Sequence, residues 1–281
     1  MRDLIRKYMD IWMHGVLLGA SFVALVPLFG VFSYVLKKGW PALSKGFFVN
    51  LPTPVGEVGG GFGNAILGSV VLILLASIVG VPWGVLCGIY LAEYRRSKLA
   101  QWLRFTVDVL TSVPSIIVGL FIYAIVVKPM ANFSALAGAA SLALIMIPVV
   151  ARTTEEMLKL VPRATREAGL ALGLPRWKVI LFITLRGAVS GVATGVLLAI
   201  ARVAGETAPL LFTAFNNRYW SHTLFEPVAS LPVQIYVYAI SPFEEWHQQA
   251  WAGALVLLFF ILFVNLFIRF LIFSRGAGRT S

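Results

Sequence analysis

Arg202, Glu206 and Thr207 stand in the stretch ARVAGETAP, residues 201–209, inside a run otherwise built from Val, Leu, Ile, Ala and Gly. A guanidinium donates two parallel hydrogen bonds in a fixed fork that suits the oxygens of an oxyanion, and a carboxylate one helical turn away can hold that fork between encounters. Each charge in a membrane-length apolar segment costs roughly 2.5 to 3.5 kcal/mol on insertion scales, so such residues pair with one another or line a polar route. The three residues are candidates for an anion pathway; the alternative is an Arg–Glu bridge that only fixes helix packing. Upstream, Gly187, Gly191, Gly195 and Ala199 recur every four residues, a small-residue stripe that lets another helix approach closely. At about 100° per residue, Arg202 falls about 60° and Glu206 about 20° from Ala199, which turns both toward the protein interior or a pore rather than lipid.

The elements that must position these residues are membrane spans. Of the 281 residues 59% are hydrophobic and 12% charged, with a mean hydropathy of +0.87, whereas soluble domains carry roughly 25% charged residues. The apolar residues come in long runs at about 12–36, 64–92, 105–127, 133–150, 187–212 and 250–273, which predicts six helical spans in a single transmembrane domain over residues 1–281. These runs lack the two-residue alternation of a barrel strand. The second run, at about 1.5 Å per residue, exceeds a hydrocarbon core of roughly 30 Å, so a kink at Pro82 or a tilt is expected. The first run is too long for a signal-peptide core and reads as a retained span.

Basic residues fix the expected orientation. Three lie in the N-terminal stub (Arg2, Arg6, Lys7), four in the second loop (Arg95, Arg96, Lys98, Arg104), seven in the fourth loop and three in the tail (Arg269, Arg275, Arg279), seventeen in all; the opposite side receives five, Lys37, Lys38, Lys45, Lys128 and Arg218. The asymmetry places both termini in the cytoplasm. The net charge of +11 is then a topology signal with attraction to anionic membrane lipids rather than a nucleic-acid footprint, since no basic helix or RNA-type aromatic motif accompanies it.

Several chemistries are disfavoured. No G-x-x-x-x-G-K-[ST] occurs, so the chain has no phosphate-binding P-loop of its own. The glycine-rich GEVGGGFGNAILG, residues 56–68, follows no strand and reads as a flexible lead-in to the second span rather than a dinucleotide loop. His14, His222 and His247 are scattered without metal-ligand spacing, and Cys87 is alone in an apolar run, a small buried residue. Arg104 and Asp108, one turn apart, read as a local ion pair, and Glu155 and Glu156 as a solvated or partner-facing helix end beside Arg152. The external segment VASLPVQIYVYAIS reads as a short element on or dipping into the membrane.

The loop 151–186 carries the most specific signal. Helix starts at Pro162 and Pro175 and a break at Gly173 predict two short helices joined by a turn. Glu167, Ala168, Gly169, Gly173, Ile183 and Leu185 follow the spacing E-A-A-x3-G-x9-I-x-L-P, with Gly169 in place of the second Ala and Arg186 in place of Pro. This spacing resembles that of the permeases of bacterial ATP-binding cassette importers. A short helix exposing Leu170 and Leu172 and stopped by Gly173 can insert into a groove on a soluble partner, and Glu167 can pair with a basic group there; a solvated amphipathic loop helix is the alternative.

The segments GGGFGNAILGSV, GVLCGIYLAEY, VPSIIVGLF, ARTTEEMLKLVP, ARVAGETAPLLFTAF and SLPVQIY extend the likeness, in order and at similar spacing, to the PstA family of phosphate-importer permeases. That resemblance implies an all-α membrane protein of six transmembrane helices with the MetI-like (type I) importer permease fold and a cytoplasmic coupling-helix loop. It implies a non-catalytic subunit of the bacterial inner membrane that pairs with a second permease, PstC, over a dimer of the ATPase PstB. Inorganic phosphate would come from an extracytoplasmic binding protein, PstS. ATP and Mg would be bound by the ATPase, with no cofactor in this chain. Glu167, Ala168, Gly169, Leu170, Leu172 and Gly173 would form the ATPase-coupling element, and Arg202, Glu206 and Thr207 would lie on the substrate route. A permease for sulfate, molybdate or another oxyanion fits the coupling spacing as well, and a channel or membrane assembly protein without an ATPase is the remaining alternative.

Overall fold

In the computed structural model, which describes residues 2–57 and 59–277, the chain is all helical, with no strand among the described residues. Arg279 of the basic tail lies outside them. Helix α1 (Arg2–Gly39) leads through a short turn to α2 (Lys45–Val49) and then α3 (Gly63–Glu93). Next come α4 (Lys98–Ser112) and α5 (Ser115–Ile122), the latter prolonged by a π-helical turn (Tyr123–Val127) and a last α-helical turn (Lys128–Met130). Helix α6 (Ala135–Lys159) and the short α7 (Arg163–Ala171) precede α8 (Leu185–Ala204), which is itself reached through a helical lead from Arg176. The chain ends with α9 (Ala208–Thr213), α10 (Leu231–Ala239) and α11 (Glu244–Ala277).

Five of these helical segments are long and apolar enough to cross a membrane, and α4 with α5 make a sixth if the pair is one span. That pair departs from the continuous third helix expected over 105–127: its halves meet at 104°. The cause is Pro114, which has no N–H for the helix ladder and pushes the preceding residue out of the helical region, so that Val113 is extended at φ −68, ψ 128. Helix α3, by contrast, runs unbroken through Pro82.

Helix α6 is the buried centre, two-thirds of its apolar window lying inside the protein. Small residues on both neighbours allow it. On α3, a Cβ at Gly80 would sit 3.0 Å from the Met146 sulfur, one at Gly84 2.6 Å from Val150 Cβ and one at Gly88 2.5 Å from Thr154 Cβ. On α8, Gly191 and Gly195 press against Met157 and Thr153 in the same way. The stripe read from 187 to 199 therefore seats α8 on a helix of its own chain, and the equivalent stripe 80–84–88 does the same for α3. Removing the Cβ atoms lets the backbones approach and gain dispersion contacts, the main attraction available where lipid is as apolar as the side chains.

The later glycines of the glycine-rich segment sit at close backbone approaches. A Cβ at Gly61 would meet Gly46 O at 2.5 Å and Asn50 O at 2.7 Å, and one at Gly63 would meet the Val49 carbonyl at 2.9 Å. Phe62 between them is fully buried, stacked on Phe47 at 4.9 Å and edge-on to Tyr238 at 5.2 Å. Helix α10 packs one face against the protein: Leu231, Val233, Gln234 and Tyr238 are buried, Tyr236 is exposed, and the Leu231 N–H donates to Ser69 Oγ on α3 at 2.7 Å.

Candidate functional site

Helix α8 ends at Ala204, and the Gly205 and Glu206 N–H groups close it with tight turns onto the Arg202 and Val203 carbonyls. Thr207 then starts α9, whose Pro209 lies against Gly119 of α5, where a Cβ would come within 2.6 Å of Pro209 Cα. The motif is thus a break between two helical pieces. The helix includes Arg202 and stops before Glu206, so counting at 100° per residue does not apply to Glu206. The two still meet, with Arg202 Nε 3.9 Å from Glu206 Oε1; the Arg202 side chain is 46% exposed on the open flank of α8 and that of Glu206 17%. Thr207 follows directly and is half-buried. Arg202 and Glu206 are brought together, with Thr207 beside Glu206 along the chain and a guanidinium left largely free to donate.

The coupling candidates form a second cluster at the end of the bundle that carries the basic loops. In α7, Glu167 and Ala168 are exposed and Leu170 is 42% exposed, Leu172 just past its end is 82% exposed, and Glu167 has no ion pair among the described residues. Gly173 ends the helix at φ +76, donating its N–H to Leu170 O at 2.9 Å while the Leu174 N–H reaches Gly169 O at 3.3 Å. This is a left-handed glycine terminator, accessible to few other residues. Gly169 is the buried face of α7: a Cβ there would meet Ile183 Cδ1 at 2.6 Å and Val179 Cγ2 at 3.2 Å. Its place in the motif brings α7 close against the π-helical turn Val179–Thr184. Arg186, where the spacing has Pro elsewhere, lies exposed in a helix that continues from Arg176 to Ala204, so no bend is needed there.

Between the two clusters lies a set of ion pairs that local spacing did not reveal. Glu155 is fully buried; its Oε1 accepts from Arg104 Nη2 at 2.8 Å and Nε at 3.1 Å and pairs with Lys159 Nζ at 2.5 Å, and its Oε2 lies 3.4 Å from Arg152 Nη1. Arg104 therefore does not pair with Asp108, and Glu155 is not a solvated end. The reason is tertiary: α4 lies along α6, which brings Arg104 to a carboxylate 51 residues away, while Asp108 faces Arg152 at 3.7 Å. A second tie joins α7 to α3, with Arg166 Nη1 2.5 Å from Glu93 Oε1 and Arg166 Nη2 donating to Leu158 O of α6.

Residues 84–274 match the family of binding-protein-dependent transport system inner membrane components. The phosphate transport system permease protein PstA of Yersinia pestis is 51% identical over 255 residues, 88% of this chain and 86% of that protein. PstA of Haemophilus influenzae is 48% identical, covering 90% of this chain and 91% of its own. The chain belongs to the PstA family. Among solved structures, a bacterial alginate ABC transporter superposes with a TM-score of 0.67 at 15% identity, covering 96% of both chains, and the inward-facing MetNI methionine transporter with 0.58 at 18%, covering 74% of this chain and 93% of that one. Both show the shared MetI-like fold. PstA-family chains are membrane components of ABC transporters, not catalysts, and this one spans the membrane several times.

In this PstA-family chain the buried carboxylate makes a direct prediction. Removing one partner from a fully buried ion cluster costs about 3 to 5 kcal/mol; here Arg104, Lys159 and Arg152 are 27%, 35% and 41% exposed, so solvent screening makes the cost smaller. Glu155→Leu strands Arg104 and Lys159, while Arg152 keeps Asp108 and Glu156, and is expected to lower the thermal midpoint of the purified complex and its yield. Asp108→Asn, at an exposed pair worth about 0 to 1 kcal/mol, is expected to change neither. Equal midpoints for Glu155→Leu and the parent would remove the network from the account of stability.

Proposed function

We propose that this chain is the transmembrane permease subunit of an ATP-driven phosphate importer. With a second permease of the PstC kind it forms the translocation route, an ATPase dimer of the PstB kind supplies the work and holds the ATP and Mg, and a PstS-like extracytoplasmic protein delivers inorganic phosphate. The whole chain forms one permease domain in the bacterial cytoplasmic membrane, both termini inside, as the seventeen-to-five basic asymmetry favours. The observation that carries this reading is identity of about half to phosphate permeases along nearly the full length of both partners.

Arg202, Glu206 and Thr207 are the residues of this chain on the substrate route. The free flank of Arg202 supports that role, because a bridge serving only to hold helices together would bury both side chains. The exposed Glu167 and Leu170 of α7, with Leu172 just past its end, suit insertion into a groove on the ATPase. The test is reconstitution: the four-component complex in proteoliposomes should hydrolyse ATP faster when phosphate-loaded binding protein is present, and accumulate phosphate. Stimulation by sulfate or molybdate with no response to phosphate would transfer the chain to another oxyanion; ATP-independent flux would make it a channel.

A further inference from the structure

Beside the coupling helix lies a cavity of about 570 Å³ whose lining includes Arg95, Arg96, Lys159, Arg163 and Arg166 with Glu93 as the acid among them. The charge is unbalanced. Lys159 is committed to Glu155 and Arg166 to Glu93. Arg96 and Arg163 make no ion pair or hydrogen bond with the described residues, and Arg95 spends only Nε, on the Ala92 carbonyl at 3.1 Å. Three guanidiniums that the fold leaves uncompensated thus share one concavity. Arg166 adds a further sign: its Nε is buried and has no acceptor among the described residues, a donor of the kind that is rarely left unmade.

We propose that this cavity is a binding site for a phosphate-bearing anion, distinct from the route through Arg202. Guanidinium forks match the oxygens of a phosphoryl group with paired, charge-assisted bonds, and a concavity lined mainly by one sign of charge gathers the positive potential that three unpaired arginines create. The basic residues come from the loop after α3 (Arg95, Arg96), the end of α6 (Lys159) and α7 (Arg163, Arg166), so a bound anion bridges the coupling helix to two long helices. It also lies beside the Arg166–Glu93 tie. Loops that carry the expected topology signal are usually solvated; here tertiary folding gathers two of them around one volume. Free inorganic phosphate and the phosphodiester of an anionic lipid present the same chemistry.

The test uses the intact complex with its ATPase and second permease, in phosphatidylcholine nanodiscs, without binding protein and with a non-hydrolysable ATP analogue occupying the nucleotide sites. Binding of radiolabelled inorganic phosphate is measured in an Arg202→Ala background, which silences the route, and again with Arg96→Gln and Arg163→Gln added singly and together. These two side chains hold nothing else in the chain, so a parental elution profile is expected. Loss of both guanidiniums should weaken phosphate binding at least about tenfold, with the singles intermediate. In a parallel arm, complex extracted from native membranes is weighed by native mass spectrometry. Phosphatidylglycerol retained by the parent and lost from the double variant would assign the site to lipid; phosphate binding lost with no change in lipid would assign it to the free ion. Unchanged phosphate affinity together with unchanged lipid retention overturns the proposal, and so does a double variant that loses only its ATPase subunit, since an acidic segment of that subunit would then be the occupant.

Discussion

Gly173→Pro is expected to leave the complex assembled and hydrolysing ATP while phosphate accumulation falls to background. Proline locks φ near −65°, whereas Gly173 sits at +76°, and it removes the N–H that closes the helix onto Leu170 O. The end of α7 and the turn toward Pro175 must then be rebuilt, and with them the angle at which Leu170 and Leu172 meet the ATPase. A Cβ at position 173 would meet nothing within 4 Å, so substitution there tests backbone conformation without a packing change. That isolates a graded series. Asparagine, which tolerates the left-handed region, should couple nearly as the parent does; alanine, paying roughly 1 to 2 kcal/mol for it, should couple less; proline should not couple at all. The measurement is phosphate moved per ATP hydrolysed in proteoliposomes. The same ratio for proline and asparagine would mean that the shape of this turn does not transmit force, and Glu167→Ala would then be the remaining probe of the loop.

This turn is also where sequence and structure agree most closely, because a left-handed glycine after a short amphipathic helix is a local device written within ten residues. The small-residue stripe on α8 was legible for the same reason. Its counterpart on α3 uses the same four-residue period, at Gly80, Gly84 and Gly88, and went unread because the surrounding run is apolar on all sides and gives no face to count from. The bend at Pro114 had a signal too, an X-Pro step inside an apolar run, which length alone masked. The pairing of Arg104 with Glu155 had no local signal: four-residue spacing offered Asp108, and only the packing of α4 on α6 decides that a fully buried carboxylate takes the guanidinium instead. Buried charge demands partners from wherever the fold brings them.

Arg202→Ala is expected to abolish phosphate uptake with assembly intact. The bridge to Glu206 is a single contact at 3.9 Å with the guanidinium nearly half exposed, a geometry worth about 0 to 1 kcal/mol, too little to hold a multi-subunit complex together. What the arginine supplies instead is a fork of donors on the open flank of α8, at the break between α8 and α9. A free guanidinium alone would hold an oxyanion tightly; the adjacent carboxylate weakens that hold, which release requires. Glu206 also discriminates. Phosphate at neutral pH keeps a proton that a carboxylate can accept, whereas sulfate has none, and a second anion facing Glu206 is repelled. Glu206→Gln should therefore reduce phosphate uptake and raise the sulfate share of what is carried, and Arg202→Lys, which keeps the charge and loses the fork, should retain a fraction of the parental rate. The decisive comparison is the charge-swapped double variant, Arg202→Glu with Glu206→Arg. A route built on the placement of the donor fork leaves that variant assembled and inactive; if both single variants fail to assemble and the swap restores assembly with full uptake, the pair is a structural bridge and the pathway assignment falls.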